Sequence, residues 1–235
     1  FDLYALSNTG AYGTQGLTVT CMVGCRTLAL FNCPDMRFNA DIVYTNTCVP
    51  AAYRGYGGTQ GIFATVCTMD ETCEKIGIDP VDFFLKNIIH GHCEVPILGK
   101  LGEGNKLGIP HISSCELTAC LQKGAEMFDW KAKRNRPKDT GRYRRGVGVT
   151  IMMQGSAIPF IDMASAFIKM NEDGSFNLLI GASEIGQGSD TILAQIAAEE
   201  LTVPTSWVIP YSSDTDLTPF DKGAYASSTT YLSGM

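Results

Sequence analysis

The sequence contains no pair of cysteines in a CxxC spacing, and its three histidines are confined to positions 90, 92 and 111. A zinc ribbon and a thioredoxin-type redox site are therefore not indicated. No apolar run approaches the roughly 18 residues that cross a bilayer, and no signal peptide is visible. Basic residues are in deficit, with a net charge of −6, which argues against nucleic acid as the main partner, since phosphate binding calls for surplus Lys and Arg. There is no GxSxG around any serine, so an esterase-type nucleophile has no context. The Gly-rich stretch AAYRGYGGTQG (51–61) does not fit GxGxxG, and a dinucleotide fingerprint fails there.

What is present is an ordinary globular balance, 45% apolar and 18% charged over 235 residues, enough for one large domain or two ordinary ones. The nine cysteines all precede residue 121, an asymmetry that points to two structural units. Their odd number in a chain of this size reads as reduced thiols in a cytoplasm. The chain opens at FDLYAL without an initiator Met and ends at TTYLSGM without a polar tail, so we expect a piece of a larger protein.

Helical spacing of Ile62, Val66 and Met69 after the Gly-rich turn predicts a helix that Gly77 stops. Asp79 and Pro80 are the N-cap and first-turn signals of a second helix. Residues 90–111 read as loop, and Ser113 or Ser114 as the cap of a helix over 115–130. The HGHC run (His90, His92, Cys93) has metal-ligand residue types but stands in this Gly/Pro-rich stretch, where a site is poorly supported. Residues 131–145 hold eight of the 18 basic residues with Pro137 and Gly141. They read as a boundary, either a solvated connector or an anion-binding patch. Beyond it, RGVGVTIMM predicts a strand, ASAFIKM and FNLLIGA a hairpin about Asp173-Gly174, SDTILAQIAAEEL an amphipathic helix, and WVIPYSSDT another strand. The order gives an α+β fold, divided at 1–140 and 141–235.

Two further turns carry candidate chemistry. GASEIGQGSD (181–190) lies between strand and helix, where free N–H groups and a positive dipole end favour anions. It nearly spells a Walker A, but Gln187 holds the lysine position and Gly188 the hydroxyl position. A nucleotide or phosphate module and a plain strand–helix turn both remain open at this point. GAYASSTT (223–230) crowds small and hydroxyl residues at a helix start, where Ser227 and Ser228 also read as simple caps. In the first stretch, Arg54 and Tyr56 among glycines suit a planar polar ligand.

Taken in order, AYRGYGGTQG, GASEIGQGSDT and AYASSTTYLSG resemble the molybdenum hydroxylase family, the molybdopterin-binding subunit of xanthine dehydrogenase and aldehyde oxidase, over nearly the whole chain. The resemblance implies a large two-lobed domain of mixed sheets with flanking helices, holding a molybdopterin with one Mo. Bacterial members often carry its cytosine dinucleotide form. Ile185, Gly186 and Gln187 would meet the cofactor, Gln187 near the metal's oxo group. Ala226, Ser227, Ser228 and Thr229 would hold the pterin's polar edge and phosphate. Arg54 would stand at the metal centre and Tyr56 flank the substrate, with no side chain ligating the metal directly.

The implied chemistry is hydroxylation of an electron-poor carbon, in an N-heterocycle (purine-like) or an aldehyde, with water as oxygen source. A carboxylate serves as base. Electrons leave through 2Fe–2S clusters, commonly to FAD, on partner domains or subunits. The family's metal-facing Gly-rich loop and its catalytic Glu have no counterpart within these residues, so the chain alone is expected to be inactive. Ser156, in MQGSAIP, stands where purine-oxidising relatives place a second aromatic clamp. Arg26 matches their substrate-binding arginine only with a gap. The cysteine-bearing loop of carbon monoxide dehydrogenases would replace RGYGG, and it is absent.

Overall fold

A computed structural model describes residues 1–50, 52–102, 109–158 and 160–235. The described chain divides into two compact units, Phe1–Gln154 and Gly155–Met235.

In the first unit, β1 (Asp2–Asn8) and β2 (Arg37–Val43) pair in parallel, from Asp2 opposite Arg37 to Asn8 opposite Val43. Parallel neighbours need a crossover, and α1 (Gly16–Leu28) supplies it. The next helix, α2 (Gly58–Ile76), starts and stops on glycine, with Gly57 at φ +85° and Gly77 in the left-handed region. Helix α3 (Pro80–Asn87) begins as the sequence signals: the Asp79 carboxylate accepts from the Val81 amide at 2.8 Å and Pro80 opens the first turn. Leu30, Phe31, Ile62, Phe84, Ile88, Leu121 and Ile151 form the core, with Val66 and Met69 packed against it. The period predicted for α2 thus faces the core.

Three expectations change here. The 90–111 stretch is not all loop: β3 (Cys93–Glu94) pairs antiparallel with β4 (His111–Ile112), and α4 (Pro96–Leu101) lies between them. Residues 103–108, part of that expected loop, lie outside the described residues. Helix α5 (Leu117–Phe128) starts three residues beyond Ser114, behind Glu116 and with no side-chain cap, so neither serine caps it. The strand expected at RGVGVTIMM has the right alternation, with Val147, Val149, Ile151 and Met153 turned inward, but it joins no ladder among the described residues. Alternation reports a buried face; a strand also needs a partner.

The basic boundary is partly folded. Its first turn is α6 (Trp130–Arg134), where Arg134 donates to Asp70 at 2.8 Å and to the Val147 carbonyl. Asp139 takes both Arg136 and Arg145.

The second unit follows its sequence signals closely. Strands β5 (Ala166–Met170) and β6 (Phe176–Ile180) form the hairpin, with Gly174 at φ +86° in its turn. Helix α7 (Ser189–Leu201) crosses to β7 (Val208–Ser212), which lies parallel to β6. Leu178, Ile180, Leu193, Ala197 and Val208 are buried between sheet and helix. The short α8 (Thr229–Ser233) packs on α7, bringing Gly234 against Ile196 and Leu193.

Candidate functional site

Each unit carries some of the candidate residues. In the first, glycines allow the loop before α2 to lie directly on α1. A Cβ on Gly58 would strike the Arg26 side chain, and one on Gly61 the Thr27 hydroxyl and the Val23 carbonyl. The loop is then pinned from α1. Tyr56, at φ +42°, donates its hydroxyl to the Gln15 amide oxygen and shares a hydrogen bond of 2.6 Å with Thr18. Arg26 is only 9% exposed; its guanidinium donates to the Gly55 carbonyl and stands 6.0 Å over the Tyr56 ring. One face of that ring is therefore taken by a cation. Arg54 is exposed and makes no hydrogen bond or ion pair with a described residue.

In the second unit, the 181–190 turn leaves from the C-terminal end of β6, the 223–229 turn follows β7 only after residues 213–222, and residues 219–221 press on Gly181 so closely that a Cβ there would meet the Pro219 carbonyl. Gly186 (φ +96°) and Gly188 (φ +83°) turn the chain, and a Cβ on either would point into open space. Ile185 and Gln187 are exposed. The Gln187 amide folds back: its oxygen accepts from the Ile185 N–H at 2.6 Å and its nitrogen donates to the Ser183 carbonyl at 2.8 Å. The N–H groups an anion would use are already engaged. The Glu184 carboxylate accepts from Gly186 (2.7 Å), Gly188 (3.0 Å), Asp190 (3.3 Å) and the Ser189 hydroxyl (3.3 Å). These bonds, that from Gly188 foremost, hold its carboxyl below the usual range. Gly188, the N-cap of α7, has no side chain to cap with, and Glu184 does so from four residues upstream.

In the other turn, Ala226 (φ +52°) and Ser227 (φ +56°) both adopt left-handed backbone, uncommon for residues with a Cβ. The Tyr225 hydroxyl donates to Asp162, and the Ala226 carbonyl accepts from the Ala157 amide at 3.0 Å, fixing the turn beside Ser156. Ser228 is buried at the N-cap position of α8, yet its hydroxyl donates backward to the Tyr225 carbonyl at 2.7 Å rather than capping. Thr229 opens the helix.

The second unit thus carries Ile185, Gly186 and Gln187 in the turn after β6, and Ala226, Ser227, Ser228 and Thr229 in the turn that opens α8. Arg54 and Tyr56 belong to the other unit. Sequence reading did not find Glu184 as the cap. Its signal was available: a carboxylate just before two glycines at a helix start that offers no other cap.

This geometry suits an organic group with mixed donors and acceptors. Glycine-opened space, an exposed amide and neutral backbone groups are on offer, and the buried Asp190 Oδ1 has no hydrogen-bond partner among the described residues, so it calls for a donor. No group of three or more His, Cys, Asp or Glu is placed to hold a bare metal ion among the described residues. An open acidic cleft of about 400 Å³, lined by Asp79, Asp82, Glu126 and Asp129, carries none of the predicted site residues.

Comparison with known proteins gives the same answer. Two models described as molybdopterin cofactor-binding domains match residues 1–88 and 123–235. The chain is 41% identical over 230 residues to the probable hypoxanthine oxidase XdhD of Escherichia coli strain K12, covering 97% of this chain and 24% of that protein. It is 37% identical over 236 residues to the putative xanthine dehydrogenase molybdenum-binding subunit XdhA of the same organism, covering 99% of this chain and 30% of that one. The crystal structure of quinoline 2-oxidoreductase from Pseudomonas putida 86 superposes with a TM-score of 0.77 at 26% identity, over 96% of this chain and 30% of that chain. The chain spans about a quarter of the length of the first of these relatives. Its α+β architecture, its turns and its relatives agree, and the chain belongs to the molybdopterin-binding part of the molybdenum hydroxylase family.

Proposed function

We propose that the chain is part of the catalytic molybdopterin subunit of a hydroxylase or dehydrogenase. The parent enzyme oxidises an N-heterocycle, purine-like in kind, or an aldehyde, with water as the oxygen source. The observation that carries this reading is the turn at the C-terminal end of β6, with glycine-opened space over Gly186 and Gly188 and the unpartnered Asp190 oxygen in the same turn. Support for a heterocycle comes from relatives whose names give hypoxanthine, xanthine and quinoline.

In this reading Ile185, Gly186 and Gln187 lie against the cofactor. Ala226, Ser227, Ser228 and Thr229 take its polar edge and phosphate, Ser228 by holding the turn, since its amide and its hydroxyl both donate to the Tyr225 carbonyl. Arg54, with its guanidinium unspent, stands at the metal centre. Tyr56 presents the ring face opposite Arg26 to the substrate. Molybdopterin, when bound, supplies the redox change and the activated oxygen. The protein's residues orient the reactants: the Gln187 amide, bonded to Ile185 and Ser183, holds the shape of its turn, and an immobilised Tyr56 ring positions a flat substrate at small entropic cost. Residues 1–140 contribute to a first lobe and 141–235 begin a second. Iron–sulfur and FAD-bearing domains or subunits are the electron-accepting partners, and the cytoplasm is the location.

The test is metal analysis and pterin fluorescence on the full assembly, followed by turnover of hypoxanthine, quinoline and an aromatic aldehyde with an artificial electron acceptor. Molybdenum and pterin in each catalytic subunit, with turnover of one substrate class, is the expected result. An assembly holding neither would end the reading.

A further inference from the structure

We propose that Glu184 is a positioning residue for the cofactor turn: its carboxylate fixes the backbone of residues 185–190, so that the turn presents the ligand a fixed, neutral surface instead of an anion-binding nest. The inference rests on the molybdopterin reading for the identity of the ligand, but its structural basis is independent of it. One side chain gathers three backbone N–H groups and one hydroxyl, at 2.7, 3.0, 3.3 and 3.3 Å. Those N–H groups belong to residues on both sides of Gln187, so the direction of the Gln187 side chain is set by where the carboxylate holds Gly186 and Gly188. Both glycines have positive φ and no side-chain packing of their own, and nothing else lies within 4 Å of where a Cβ would stand. Without the carboxylate, two glycines with unrestricted backbones would leave the turn loose.

The same bonds explain why the near-Walker sequence is not a phosphate site in this conformation. The nest that would receive a phosphate is filled by the protein's own anion, and Ser189, the first hydroxyl of the helix and one residue past the Walker hydroxyl position, is fully buried. The remaining polar side chain, Gln187, is neutral.

The experiment uses the cofactor-loaded full polypeptide with Glu184→Gln and Glu184→Ala. Glu184→Gln keeps the shape but removes one acceptor oxygen and sets an NH₂ group against backbone N–H donors, so it tests the charge even if Glu184→Ala fails to fold. We expect faster amide exchange over 185–190 and an altered electron paramagnetic signal of the partly reduced molybdenum. We also expect kcat to fall roughly ten-fold or more with KM changed little, as for other residues that orient ligands of a metal centre. Acetate should restore part of kcat in Glu184→Ala by refilling the nest, a rescue that loss of general stability would not show. A loaded wild type with both variants unchanged in exchange, spectrum and kcat overturns the proposal. A wild type without molybdenum or pterin overturns the proposed molybdopterin function, and then amide exchange alone still decides whether Glu184 fixes the turn.

Discussion

Replacing glycine by alanine at positions 57, 77 and 124 makes the same chemical change three times, and the structure predicts three different outcomes. Gly57 sits at φ +85°, and a Cβ there would be inside contact distance of the Val19 carbonyl and 3.0 Å from the Val23 amide. Two costs add: about 1–2 kcal/mol for left-handed backbone and about 1–3 kcal/mol for overpacking against α1, of which the lower entropy of the unfolded chain returns less than about 1 kcal/mol. The net loss is roughly 1–5 kcal/mol. Gly77 has φ +71° but nothing within 4 Å, so only the backbone cost of about 1 kcal/mol remains. Gly124 lies inside α5 with open space around it, and alanine should stabilise that helix by about 1 kcal/mol. A multi-unit protein does not unfold in one step, so the assay is native-state amide exchange in the full polypeptide, read separately over α2 and α5. Activity adds a second reading: displacing the 53–58 loop by an ångström should cost Gly57→Ala roughly a hundred-fold in kcat, while the other two leave it near wild type. If Gly57→Ala proves as mild as Gly77→Ala in both measurements, the close seating of the loop on α1 is wrong.

The Asp79 carboxylate caps α3 and also accepts from the buried Trp130 indole at 2.9 Å. Asp79→Ala should therefore cost about 2–4 kcal/mol over α3, but only about 1 kcal/mol when Trp130→Phe has already removed the indole donor. The Glu184 carboxyl is depressed by its N–H partners, so the order it gives the 185–190 turn is complete above the ordinary Glu value of about 4.5 and is lost as pH falls through the lower folded value. Amide exchange there, corrected for its intrinsic pH dependence, should be flat at neutral pH and accelerate only in acid; acceleration between pH 5 and 7 would refute the assignment.

What was legible in the sequence was what local chemistry decides. The Asp173-Gly174 hairpin, the Asp79-Pro80 helix start and the Gly77 stop each depend on a few adjacent residues, and each is found as read. What was not legible depends on partners far along the chain. The 145–153 segment alternates like a strand but joins no ladder among the described residues, and the serines at 113 and 114 are good caps placed too early for the helix that packing selects. For the site, the three turns were visible from their glycines. The internal fastening was not, because the bond from Tyr56 to Gln15 spans 41 residues and the contact of Arg26 with Gly55 spans 29.

That fastening bears on how the turns work. In each, the polar side chain nearest the proposed ligand is already satisfied by its own neighbourhood: Tyr56 by Gln15 and Thr18, Gln187 by Ile185 and Ser183, Ser228 by Tyr225. A group that has a partner within the fold gains little by exchanging it for a ligand, so these residues contribute mainly by holding shape. Shape fixed before binding lowers the entropic cost of binding and keeps donors and acceptors aimed where charge develops. Arg54 is the contrast. It carries a full charge, is exposed, and has no partner among the described residues. It can therefore give its whole interaction to the ligand, and of the predicted site residues it is the one whose removal should weaken binding directly rather than through the conformation of its loop.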